Sequence, residues 1–159
     1  MSEDASSLVR GSATVHVNVP PGELFDAVAD ISRMGEWSPE CVSGRWLAPA
    51  AGPAVGAEFE GDNVAKLGPI TLKRWTTTSR VTACVRGEVF EFVAEGYSTW
   101  RYEFVPTPDG TQLTECYSYP PYTGAKKFFY ETIGRRSASM VAAVESTLAR
   151  IKASVEAAG

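Results

Sequence analysis

From Thr123 to Ala158 the chain carries one long amphipathic pattern, and whatever fold it adopts must offer an apolar surface for that segment to cover. Phe129, Ile133, Met140, Val144, Leu148, Ile151 and Val155 recur at steps of three, four and seven, which places them on one stripe of a helix. Lys126, Lys127, Glu131, Arg135, Arg136, Glu145, Arg150, Lys152 and Glu156 fall mostly off the stripe. The spacing predicts a helix over 123–158 with one side on a core and the other in water. Ser137 breaks the stripe and Met140 sets a flexible thioether beside the break, so the middle of the helix is less tightly specified than its ends.

The residues upstream have the period of strands. Ser12 to Val19 alternates, with Val15, Val17 and Val19 on one face and Thr14, His16 and Asn18 on the other. Pro20-Pro21 ends that strand, and Pro21 with Glu23 opens a short helix carrying Leu24, Phe25, Val28 and Ile31. A second short helix or turn over 30–40 presents Met34 and Trp37 before Pro39 stops it. Six strand patterns follow, over 42–47, 56–65, 70–85, 88–95, 97–105 and 111–119. They are separated by turn residues such as Gly68-Pro69, Arg86-Gly87, Gly96 and Asp109-Gly110. Short connections make the sheet antiparallel, with one dry face that the terminal helix must cover.

Composition narrows the class. A chain of 159 residues, 44% hydrophobic and 21% charged, is one folded domain (residues 11–159) behind a flexible N-terminal leader (residues 1–10). No apolar run reaches the roughly 18 residues that span a bilayer, and the acidic N-terminus lacks the basic start of a secretion signal. Cys41, Cys84 and Cys116 are odd in number and widely spaced, so neither disulfides nor a metal site is expected, and a reduced cytoplasmic setting fits. A net charge of -4 with scattered basic residues sets no field that would attract nucleic acid or an anionic membrane, and no stable membrane insertion is expected. A monomer or weak homodimer is expected.

Several of these stretches together resemble a known family. The run from Val15 to Asp30 (VHVNVPPGELFDAVAD), Trp37-Ser38-Pro39, and Trp100-Arg101-Tyr102-Glu103-Phe104 ahead of Asp109-Gly110-Thr111 look like the polyketide cyclase/dehydrase and lipid-transport family. That family belongs to the START-like, birch-pollen-allergen-like superfamily (SRPBCC). The resemblance covers the chain from about Ser12 onward. It implies an α+β helix-grip fold: a curved seven-stranded antiparallel sheet wrapped around the C-terminal helix, two short helices after strand 1, and an apolar cavity between sheet and helix. The superfold hosts carriers, cyclases, hydrolases and regulators alike, so it fixes the architecture better than the chemistry.

The expected function is binding of a small hydrophobic or amphipathic ligand (a lipid, polyketide or aromatic metabolite) in that cavity, with no cofactor or metal. Trp37, Phe59, Trp75, Phe90, Phe92, Trp100, Tyr102, Phe104 and Tyr117, facing Phe129, Ile133, Ser137, Met140 and Val141 of the helix, would line it. The same rings would equally fill a solid core. If the cavity is catalytic, as in an aromatase/cyclase or dehydratase, Glu115, Arg101 and Tyr102 are its working groups. Glu115 keeps step with Leu113, Tyr117 and Tyr119, so it either lies among aromatics with a raised pKa or is an exposed glutamate paired with Arg74 or Arg101, the commoner fate on a strand. His16, opposite the valines, is expected at the surface. Asn63, Tyr102, Tyr117 and Ser137 are candidates to orient a ligand carbonyl or hydroxyl. A third possibility is an interaction module using Met34, Trp37 and Phe128 as an exposed patch.

Overall fold

A computed structural model describes residues 8–121 and 136–158. Strand β1 (Val9–Val17) leads into helix α1 (Pro21–Val28), a single 3-10 turn (Ile31–Arg33) and helix α2 (Met34–Trp37). Strands β2 (Cys41–Trp46), β3 (Glu58–Leu67), β4 (Ile70–Val85), β5 (Val89–Ala94), β6 (Ser98–Thr107) and β7 (Gly110–Tyr119) follow, and helix α3 (Arg136–Ala157) closes the chain. The strands form one antiparallel sheet in the order β1-β7-β6-β5-β4-β3-β2. This is the helix-grip architecture the sequence implied.

β4 keeps both expected boundaries. β1 starts earlier than expected, because Val9 and Arg10 pair with Tyr119 and Ser118 and so belong to the sheet. Of the long helix expected over 123–158, the described part is Arg136–Ala157. Phe128, Phe129 and Ile133 lie outside the described residues, as does the side chain of Ser137. Among the described residues no helix is long and apolar enough to cross a membrane, and no cluster of metal-ligating side chains occurs. Cys41, Cys84 and Cys116 are free thiols.

Local chemistry explains the corner between β1 and β2. Pro20 and Pro21 fix the entry to α1, where the Leu24 amide donates to the Pro20 carbonyl at 3.1 Å. The Asp30 carboxylate then accepts from the Ser32 amide and hydroxyl, which caps the 3-10 turn. A Cβ at Gly44 would run into the Ile31 carbonyl, so glycine lets β2 lie directly against that turn.

Helix α3 packs on the inner face of the sheet over β1 and against α2. Val144, Leu148 and Ile151 join Val17, Leu24, Phe25, Val28 and Leu113 in a buried core. Polar ties fix the C-terminal half of the helix. The Lys152 amine donates to the His16 carbonyl at 2.7 Å, the Glu156 carboxylate accepts from the Asn18 amide at 2.9 Å, and the Arg33 guanidinium donates to the Ser154 hydroxyl at 3.2 Å.

Candidate functional site

Register sorts the inner face into rows that run across the sheet. Val15, Leu113 and Phe104 stand side by side in one row; Ala13, Glu115, Tyr102 and Phe90 form the next. One step further come Gly11, Tyr117, Trp100 and Phe92. Moving along the strands, the face changes from aliphatic and phenyl groups to a carboxyl group, hydroxyl-bearing rings and an indole.

The α1 end is sealed, across the first row and as far as Phe90 in the second. Phe25 of α1 meets Phe104 at 5.5 Å and Phe90 at 6.2 Å between ring centroids, the latter edge to face. Phe104 and Phe90 are therefore core rings clamped under α1, although the sequence placed them among cavity-lining residues. Trp37 also differs from expectation: it is buried, with the Arg33 guanidinium 5.2 Å above its ring, and so offers no exposed interaction patch. Met34 is half-buried against the core.

The second row carries the chemistry. Glu115 is 3% exposed, and the Tyr102 hydroxyl donates to its Oε1 at 2.9 Å. Glu115 Oε2 is buried with no hydrogen-bond partner among the described residues. Burial pushes the Glu115 carboxyl up to about 8, and the Tyr102 hydrogen bond pulls it down by less. The Tyr102 hydroxyl is pushed well above its ordinary value, first by burial and then by the neighbouring carboxylate. At neutral pH Glu115 is thus a neutral acid. Because Oε1 accepts from Tyr102, the acid proton belongs on Oε2, where it forms a donor that no described residue uses.

The outcome contradicts the commoner fate expected for Glu115, since neither arginine reaches it. Arg101 lies on the opposite face of the sheet, where it donates to Glu103 at 2.7 Å and Glu91 at 3.0 Å, and Arg74 is exposed on the β3–β4 hairpin. Adjacent strand residues point to opposite faces, so Arg101 and Tyr102 do not act on the same space. His16 is half-exposed beside Thr107 and Asp109, each 3.1 Å from its Nε2.

The third row is aromatic. The Tyr117 ring lies 5.7 Å from Trp100 and stacks 6.2 Å from Tyr119, while Phe92 meets Phe59 edge to face at 5.0 Å. A Cβ at Gly11 would collide with the Tyr117 ring, so the β1 backbone makes room for it. Trp100, Trp75, Met140 and Val141 are half-buried. Asn63 is buried and donates to the Gly61 carbonyl and the Thr77 hydroxyl, each at 3.1 Å, which makes it a satisfied part of the sheet. Gly11, Ala13 and Tyr119 were not among the expected site residues. The alternation of Tyr119 with Glu115 was the one available signal, because the pairing of β1 with β7 spans the whole chain.

A sequence model of the family described as polyketide cyclase / dehydrase and lipid transport matches residues 9–156. Among solved structures, the chain is similar to the Polyketide_cyc-like protein Cgl2372 of Corynebacterium glutamicum, with 28% identity, a TM-score of 0.63 and coverage of 92% of this chain and 91% of that one. The AHSA1-like protein of Aeromonas hydrophila shares 19% identity at a TM-score of 0.66, over 95% of this chain and 94% of that one. The di-domain ARO/CYC StfQ from the steffimycin biosynthetic pathway shares 15% identity at a TM-score of 0.70, over 94% of this chain and 51% of that one. At these last two identities the likeness is one of fold alone. No curated protein sequence matches the chain.

Proposed function

The chain belongs to the polyketide cyclase/dehydrase and lipid transport family, and from that premise we propose that it binds a neutral, largely apolar molecule bearing a carbonyl or hydroxyl oxygen. The ligand lies between the sheet and α3, with its apolar body against Trp100, Tyr117 and Met140 and its oxygen at Glu115. One observation carries this reading: the buried Oε2 of Glu115, which has no partner among the described residues. An unmet polar group at that depth costs about 1–3 kcal/mol, and a guest oxygen that accepts the acid proton removes the cost. Tyr102 acts through Glu115, holding Oε1 so that the free donor is Oε2.

The donor selects for an acceptor oxygen. A carbonyl or hydroxyl oxygen accepts from the neutral acid, whereas a hydrocarbon leaves the donor unmet. Binding therefore weakens as pH rises through about 8 and the proton is lost.

The neutral aromatic ketone prodan, whose emission reports on hydrogen bonding to its carbonyl, tests this. Glu115→Gln keeps a donor and should hold prodan within a few-fold of wild type; Glu115→Leu should lose about tenfold, the size of one buried hydrogen bond. Equal affinity in the Leu variant, or no pH dependence between 7 and 9, would overturn the reading.

A second reading is favoured by the same carboxyl. An acid that titrates near 8 can protonate a ketone or a leaving hydroxyl at neutral pH, which is the work of a cyclase or dehydratase. The two readings separate on Glu115→Gln. A carrier keeps its affinity, whereas an enzyme loses about a hundredfold or more in turnover because the amide gives no proton.

A further inference from the structure

We propose that the tip of the β3–β4 hairpin docks the domain peripherally on an anionic lipid bilayer. Nine consecutive residues, Lys66 to Arg74, are exposed. Leu67 and Ile70 are register partners at the tip and are 67% and 61% exposed; Leu72, at the register shift beside them, is 64% exposed. These side chains contribute nothing to the core. β2 pairs with β3 only as far as Asn63, and β5 pairs with β4 only from Ser79, so the hairpin projects as a two-stranded ribbon without neighbouring strands. Such a ribbon in water gains little from large aliphatic groups at its end.

Charge selects the occupant. No acidic residue occurs between Asp62 and Glu88, and Lys66, Lys73 and Arg74 surround the apolar tip with no carboxylate partner among the described residues. A basic tip on a chain of net charge -4 orients the protein toward a negative surface. At the base of the ribbon the half-buried Trp75 ring has the Lys73 amine 5.4 Å from its centroid, the pairing of aromatic ring and cation that suits a headgroup region. Because the tip is exposed all round, a fluid bilayer interface can surround it, whereas a protein partner would have to enclose both faces of the ribbon. The proposal is independent of what Glu115 binds, and it needs no segment that crosses the membrane.

The test is flotation of the full chain with vesicles of phosphatidylcholine alone or with roughly 30% phosphatidylserine, and with brominated phosphatidylcholine to quench Trp75. Binding should appear on the anionic vesicles, with Trp75 quenched. It should fall about tenfold or more both in a Leu67→Ser, Ile70→Ser, Leu72→Ser variant and in a Lys66→Glu, Lys73→Glu, Arg74→Glu variant. Salt at about 0.5 M should weaken it. Because every substituted side chain is exposed, both variants should keep the wild-type melting temperature and prodan affinity. Absence of binding, equal binding to neutral vesicles, or full binding by either variant would overturn the proposal, as would capture of the tip by an acidic protein with no affinity for vesicles.

Discussion

The two ends of the inner face are supplied by the same strands, yet they are finished differently. At the α1 end, Val17, Leu113 and Phe104 join Phe25, Leu148 and Ile151 in one apolar core, and hydrogen bonds from Lys152, Glu156 and Arg33 tie down the C-terminal half of α3. One row further along the strands, Glu115 and Tyr102 form a buried polar couple with one oxygen left unmet. The first end is what folding alone would produce. The second runs against folding, because a carboxyl group buried among rings favours no compact state at neutral pH over its hydrated form. A domain that already has a sealed core at one end can carry such a group at the other.

The comparison can be broken most directly by truncation at the sealed end. Phe25→Ala should remove about 3–5 kcal/mol of unfolding free energy, since it empties the space between Phe90 and Phe104. Trp100→Ala, at the half-buried polar end, should cost markedly less despite the larger ring. Equal losses in urea denaturation would erase the distinction.

The next effect is one of pH. The Glu115 pKa is raised on folding from its ordinary 4.5 to about 8, so the native state holds a proton that the unfolded chain releases. Its contribution to stability is complete below about 4.5 and is lost as pH rises through about 8. Wild type should therefore lose roughly 2–4 kcal/mol across that window, after allowance for water reaching the ionised group, and Glu115→Gln should not. A wild-type stability that is flat over the same range would contradict the burial of this carboxyl.

Smaller still is the effect of Tyr102→Phe. Removing the hydroxyl leaves both Glu115 oxygens unmet, which should cost about 1–3 kcal/mol. It should also raise the Glu115 pKa further, because the lost hydrogen bond was lowering it. The smallest change comes from the outer face, where Arg101→Gln removes partly exposed ion pairs to Glu91 and Glu103. It should alter stability by about 1 kcal/mol or less and leave prodan binding unchanged. A loss of prodan affinity in this variant would return Arg101 to the site.

The sequence made the architecture legible because period and punctuation agree in it. The Pro20-Pro21 pair, the Gly68-Pro69 turn and the Asp109-Gly110 turn each fall where an element ends or begins. The face occupied by Glu115 was legible too, from its alternation with Leu113, Tyr117 and Tyr119. Its depth was not. In a simple meander β7 would be an edge strand and its glutamate exposed, but β1 returns across the whole chain to pair with β7 and makes it interior. The same long-range pairing sets Gly11 under the Tyr117 ring. Arg101 alternates with Trp100 and Tyr102 along β6, so the strand period itself sets it on the face opposite Tyr102. Phe90 and Phe104 are rings of the kind that line a cavity; only the position of Phe25 shows that they are clamped in the core.

A carbon-13 NMR titration of the Glu115 carboxyl, assigned by its disappearance in Glu115→Gln, measures the state of that group without any ligand. The account predicts a midpoint near 8, with the carboxyl protonated at neutral pH and able to donate. A midpoint at or below the ordinary 4.5 would mean that Glu115 is charged in the native protein, and the donor on which the proposed recognition depends would not exist.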